Sequence, residues 1–180
     1  THLQPLHPID TAKNTASSTS IHYVYRRILA TGALWNRPSD ALLGKQGMTK
    51  ATRDQAFSIL QKEGRIQAVH IDGIEHPIYI PNTQVAQFID NIGAIETPVL
   101  RFIAPLDNMI WDRKFIEALF GFQYTWEVYM PESQRKYGYY VLPMLFGSEF
   151  VGRIEFDHYS KQKHVLIKNI WWENKANTAY

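Results

Sequence analysis

Arg65-Ile66-Gln67-Ala68-Val69-His70-Ile71 is followed by Asp72-Gly73 and then by Pro77-Ile78-Tyr79-Ile80. Two short runs rich in β-branched residues, separated by an Asp-Gly turn signal, read as a β-hairpin with a loose tip. What such a hairpin belongs to depends on the residues before it. Upstream, Ile21, Val24, Tyr25, Ile28 and Leu29 recur at the spacing of one helix face, with Ser20 as the expected N-cap and Gly32 near the end. Ser39 can cap a second short helix over residues 40–43, stopped at Gly44. A third helix is expected over residues 49–63, with Ala56, Ile59 and Leu60 as its core stripe and Gly64 just past its end.

Three short helices followed by a β-hairpin is the element order of a winged helix-turn-helix. The reading therefore assigns residues 20–97 to a winged-helix domain, with a further helix over 82–91 bearing Val85, Phe88 and Ile89. Residues 1–19 are rich in Thr, Ser and Pro and lack periodicity, so they read as a linker or arm. Thr1 is not an initiator methionine, and with this loose opening it leads us to expect a chain that begins inside a longer protein or was processed.

Beyond residue 98 the pattern changes. Residues 99–104 read as a strand, and Asp112 as the cap of a helix carrying Phe115, Ile116, Leu119 and Phe120 and ending at Gly121. Four strands are then expected, over 122–130, 137–146, 150–157 and 165–172, forming an antiparallel sheet or partial barrel over residues 98–173 and leaving a frayed tail at 174–180. Trp126 and Trp171 are expected on inward strand faces with Val128 and Ile167. The fold class is thus α+β: a winged helix, then an antiparallel β-domain with a short helix.

Composition bounds the chemistry. The 180 residues are 45% apolar and 20% charged with a formal net charge of +2, ordinary for a globular chain and neither demanding nor excluding nucleic acid. The absence of cysteine excludes disulfides, thiol catalysis and cysteine-based zinc sites, and it fits a cytoplasmic location. No apolar run reaches the roughly 18 residues a membrane span needs. The seven histidines show no His-Glu-x-x-His spacing, and no Gly-rich phosphate loop or Gly-x-Ser-x-Gly elbow is present, so no metal or cofactor is expected. Asp107 and Asp112 flank Trp111 and could serve as paired acid and base. An Asx-turn for Asp107, a helix cap for Asp112 and a packing role for Trp111 are the simpler assignments.

Binding residues stand out more than catalytic ones. Gln134, Arg135 and Lys136 fall at the expected tip of a hairpin between residues 122–130 and Tyr137-Gly138-Tyr139-Tyr140. Adjacent cations over aromatic stems suit a phosphate backbone or an opened base stack, and equally a solvated turn. Tyr137, with Tyr139 or Tyr140, would support the hairpin base. On the third helix, the outward side presents Ala51, Asp54, Ser58, Gln61 and Lys62, with Lys45, Lys50 and Arg53 at its entrance. One cation opposed by one acid is a poor major-groove reader, so this helix could be scaffold or reader.

The motif order Glu63-Gly64-Arg65-Ile66, Pro77-Ile78-Tyr79, Ala104-Pro105-Leu106-Asp107-Asn108, Ile110-Trp111-Asp112-Arg113, Leu119-Phe120-Gly121-Phe122-Gln123-Tyr124, Arg135 to Pro143, Phe146-Gly147 and Val151-Gly152-Arg153 resembles the C-terminal part of the winged-helix DNA glycosylases of the AlkZ/YcaQ type, over about residues 20–173. The resemblance implies tandem winged helices and a β-barrel-like domain cradling double-stranded DNA, with further N-terminal winged helices as partners in the same protein. It implies excision of alkylated or crosslinked bases by a Gln-hydrophobic-Gln or Gln-hydrophobic-Asp motif, which these residues lack; Gln84-Val85-Ala86-Gln87 has the wrong spacing. No catalytic residue is therefore assigned. The expected DNA-binding set is Gln134, Arg135, Lys136, Tyr137, Lys50, Arg53 and Lys62. A stand-alone winged-helix module binding DNA or protein without chemistry, or a structural interaction domain, is the alternative.

Overall fold

The computed structural model describes residues 16–42, 47–92, 97–159 and 164–173. Within them the chain forms four α-helices and two antiparallel sheets. The expected arm over most of residues 1–19, the glycine stop at Gly44, Lys45, most of the expected boundary after residue 92 and the tail at 174–180 lie outside the described residues.

Helix α1 (Ser18–Thr31) starts three residues earlier than the spacing suggests, because Ser17 rather than Ser20 caps it: the Ser17 hydroxyl accepts from the Ser20 amide at 3.2 Å. Val24 and Ile28, two of the five expected core positions, are fully buried. After the short strand β1 (Leu34–Trp35) and a 3-10 turn at Asp40–Leu42 comes α2 (Lys50–Lys62), where Thr49 accepts from the Thr52 amide at 3.1 Å. Ala56, Phe57 and Leu60 are buried along it, Phe57 taking the core place that the pattern gave to Ile59. The tight exit requires the positive φ of +67° at Gly64, which a side chain would resist.

Strands β2 (Ile66–Val69) and β3 (Ile78–Pro81) form the expected hairpin, and β1 adds to the outer edge of β3, giving the order β1-β3-β2. Phe57 packs on Tyr79 with ring centroids 4.8 Å apart, fastening α2 to this sheet. A 3-10 turn at Asn82–Gln84 leads into α3 (Val85–Asp90), whose Phe88 and Ile89 remain exposed rather than joining a core.

The second sheet has the order β4-β5-β6-β7, from β4 (Leu100–Phe102), β5 (Val141–Phe146), β6 (Glu149–Tyr159) and β7 (His164–Trp172). Among the described residues β4 and β7 do not pair, so the sheet stays open where a barrel would have closed. Helix α4 (Arg113–Phe120) packs on it, and Phe122 stacks on Phe150 at 4.3 Å in its core.

Two expectations for this half fail for one reason. Residues 122–130 form no strand, and 132–136 form no hairpin tip; instead 3-10 turns occupy Glu127–Tyr129 and Glu132–Gln134, and the following strand begins at Val141, not at residue 137. The alternation of Trp126-Glu127-Val128-Tyr129 mimics a half-buried strand, but the polar residue is the buried one: Glu127 is 7% exposed and Tyr129 is exposed. A carboxylate turned inward needs donors, and the chain folds back to supply them. Trp126 and Val128 consequently share no strand face. On β7 a register shift opposite Glu155 and Phe156 interrupts the alternation, and Ile167 is exposed while Trp171 faces Arg153.

The first sheet meets α4 through a small shared cluster of Trp35, Ile78 and Phe115. The Trp35 indole N–H donates to Asp112 at 2.7 Å across 77 residues of sequence, and the same carboxylate caps α4 by accepting from the Phe115 amide at 3.0 Å. Asp107 accepts from the Met109 amide at 2.9 Å as an Asx-turn does. Both carboxylates therefore hold backbone, as their simpler assignment has it. Trp111 has the packing role expected, against the core between α1 and α2, with its indole N–H on the Leu106 carbonyl at 3.0 Å.

Candidate nucleic-acid interface

Residues 134–140 cross the end of the second sheet without pairing in it, and two buried carboxylates hold them there. Glu127 accepts from the backbone amides of Lys136 (3.1 Å), Tyr137 (2.8 Å) and Gly138 (3.1 Å). Burial works to raise its pKa, but the three amide donors and the nearby Arg135 charge outweigh it and hold the carboxyl below the ordinary range. Glu155 accepts from the Tyr139 amide at 3.0 Å and lies 3.7 Å from the Lys168 ammonium. A Cβ at Gly138 would sit 2.8 Å from the Glu155 carboxylate, so any side chain there would push that carboxylate aside from the Tyr139 amide.

Beneath the segment lies Arg153, 5% exposed. It donates to the Tyr137 hydroxyl at 2.9 Å, to the Glu173 carboxylate and to the Gln123 carbonyl. Its guanidinium stands 4.3 Å from the Tyr137 ring centroid and 4.4 Å from that of Phe122. Tyr137 also meets Trp171 edge-on at 5.5 Å. Next to it, the β7 backbone at Trp171 comes so close that only glycine fits at position 152. Gln123, Glu127, Lys136, Tyr137, Arg153 and Glu173 line an open polar cavity of about 260 Å³.

Of the expected binding residues, Gln134 and Lys136 are exposed and Arg135 is half-buried. Arg135 donates to the Met130 carbonyl at 2.9 Å and covers the Tyr139 ring at 5.0 Å, while the Lys136 ammonium lies 4.9 Å from the Tyr137 ring. These four residues share one rigidly anchored segment. The α2 residues lie elsewhere and differ among themselves. Lys50 is paired with Asp54 at 2.8 Å, a bond that lowers the Asp54 pKa together with the donation from Asn36. Arg53 is 6% exposed and donates to Asn36 at 2.8 Å, so it braces the 3-10 connection instead of reaching outward. Lys62 is exposed in the last turn.

Glu127, Arg153, Glu155 and Glu173, which build this site, are not among the binding residues expected from the sequence. One signal was available: Arg153 and Glu155 alternate on a strand where an apolar pair would be the ordinary inward choice. The site's carboxylates and tyrosine hydroxyl are already engaged. The carboxylates that could act as bases are already saturated by amides and cations, and the Tyr124 hydroxyl is donated to the Val141 carbonyl at 3.0 Å, with burial raising its pKa further.

The family model described as DNA glycosylase AlkZ-like matches residues 3–179. The chain belongs to the AlkZ-like DNA glycosylase family. The family places this chain in DNA repair. No solved structure matches this AlkZ-like chain. Among its described residues, no helix is long and apolar enough to cross a membrane.

Proposed function

We propose that this AlkZ-like chain is a DNA-contacting portion of a base-excision glycosylase, holding double-stranded DNA through Gln134, Arg135, Lys136 and Tyr137. The observation carrying this reading is the anchoring of that segment. Glu127 and Glu155 fix its backbone amides, so the cations sit on a base that loses little conformational freedom on binding. Residues 20–97 are read as a winged helix, supported by the succession α1, β1, 3-10 turn, α2, β2, β3 with the sheet order β1-β3-β2. Residues 98–173 form its companion β-domain. The winged helix acts mainly as scaffold: Arg53 is buried and Lys50 is neutralised, leaving Lys62 as the α2 cation best placed for phosphate.

Fluorescence anisotropy on duplex DNA over a salt series tests this. Each phosphate neutralised contributes about 0.9 to the slope of log K against log[salt]. Arg135→Ala with Lys136→Ala should flatten the slope by roughly 1–2 units and Lys62→Ala by less than about one unit. An unchanged slope in the double variant, with a loss in Lys62→Ala, would transfer the contact to α2. Excision is a separate matter. These residues contain no Gln-hydrophobic-Gln or Gln-hydrophobic-Asp motif, so the chain incubated with duplex containing N7-methylguanine should release no base above background.

A further inference from the structure

A second cationic site lies away from the 134–140 segment. Arg27 of α1 and Arg113, the first residue of α4, line one cleft of about 470 Å³ with Asp40, Leu106, Ile110 and Trp111. Both arginines are half-buried. Among the described residues, neither has a carboxylate within the 4.0 Å of an ion pair; Asp40 supplies one negative charge to the cleft, beyond that distance from either. Two partly desolvated guanidinium groups lining one cleft, with a carboxylate there that pairs with neither, favour an anion between them.

Arg27 is also held ready. It donates to the Tyr23 hydroxyl at 3.1 Å, and its guanidinium stands 4.7 Å from the Trp111 ring centroid and 5.0 Å from that of Tyr23. Trp111 is itself fixed through its bond to the Leu106 carbonyl. A stacked, planar guanidinium loses little freedom on binding and still offers N–H groups in a fork that matches two oxygens of one phosphate. Asp112, the neighbouring carboxylate, forms an ion pair with neither arginine; its two oxygens accept from Trp35 and Phe115. The contrast with the 260 Å³ cavity is direct: there the buried Arg153 is paired with Glu173, and here Asp40 lines the cleft without forming an ion pair with either arginine.

We infer that the Arg27–Arg113 cleft binds a phosphate group. Free phosphate and a phosphodiester of the nucleic-acid backbone share this chemistry; combined with the DNA reading above, the backbone is the expected source. The test uses the whole chain labelled with ¹⁵N, following arginine Nε–Hε signals as inorganic phosphate is added at constant ionic strength. Signals of Arg27 and Arg113 should shift together and saturate. In Arg113→Gln the Arg27 shift should need several-fold more phosphate, while melting stays near the parent value. The Arg113 side chain has no hydrogen-bond or ion-pair partner among the described residues, so this variant keeps the fold. Arginine signals that do not move with phosphate overturn the proposal. The anisotropy series then identifies the source: Arg113→Gln should flatten the DNA salt slope by roughly 0.9, independently of the Arg135 and Lys136 variants. Saturable phosphate shifts in a parent chain that shows no DNA affinity would leave the cleft as a site for free phosphate and remove the DNA reading alone.

Discussion

Glu127 does for residues 136–138 what a neighbouring strand would do for a paired segment: it satisfies three successive amides with one side chain. Removing it strands those donors at the sheet end. Glu127→Ala should therefore cost about 1.5–3 kcal/mol in chemical denaturation and speed amide exchange at Lys136, Tyr137 and Gly138 before the rest of the sheet. The pH dependence has a definite sign. Because the folded carboxyl titrates below its ordinary value of 4.5, its contribution is complete above that value and is lost as pH falls through the lower folded value. The stability difference between parent and Glu127→Gln should accordingly shrink on acidification below about 4.5 and stay flat from there to neutrality. A gap that widened toward low pH would mean that the amides do not hold the ionised form.

At the scale of elements, the irregular stretch from Phe122 to Tyr140 is held by side chains where regular structure would use backbone. Trp126 is half-buried against the second core, meets Tyr129 edge-on at 5.5 Å and has a buried indole N–H without a partner. Trp126→Ala should destabilise by about 2–3 kcal/mol through lost apolar contact. Trp126→Phe should stay within about 1 kcal/mol of the parent, since it keeps a ring while removing the orphaned donor. Trp171 lies on the edge strand β7, most of whose apolar side chains are exposed, so Trp171→Ala should cost less than Trp126→Ala. Thermal melts of the three variants give the order directly. The same stretch shows where sequence pattern misleads. Helices α1, α2 and α4 are legible because their caps and apolar spacing act within one or two turns, and the β2–β3 hairpin because its turn chemistry is local. Nothing local distinguishes Trp126-Glu127-Val128-Tyr129 from a strand; what decides is that Glu127 faces inward to amides nine to eleven residues away.

For the molecule as a whole, Asp112 is the joint. It is 3% exposed and serves Trp35 from one half and the first turn of α4 from the other. Asp112→Ala would leave two buried donors unpaired at about 1–3 kcal/mol each. It should also separate a single thermal transition into two when near-ultraviolet and far-ultraviolet signals are compared, because Trp35 would no longer be tied to α4. A variant that still melts in one step with coincident signals would place the coupling in the apolar contact of Trp35, Ile78 and Phe115 instead.

Helices α1, α2 and α4, the β2–β3 hairpin, the cap at Asp112, the Asx-turn at Asp107 and the family resemblance are contained in the sequence, because each rests on residues within a few positions of one another or on motif order. The assembly of Glu127, Tyr137, Arg153 and Glu173 into one site, the burial of Arg53, the open sheet and the cleft between Arg27 and Arg113 are decided by tertiary structure. A charged side chain looks the same in sequence whether it faces water or the interior. Which way it faces is set by whether distant parts of the chain bring it a partner, and that is a property of the folded molecule alone.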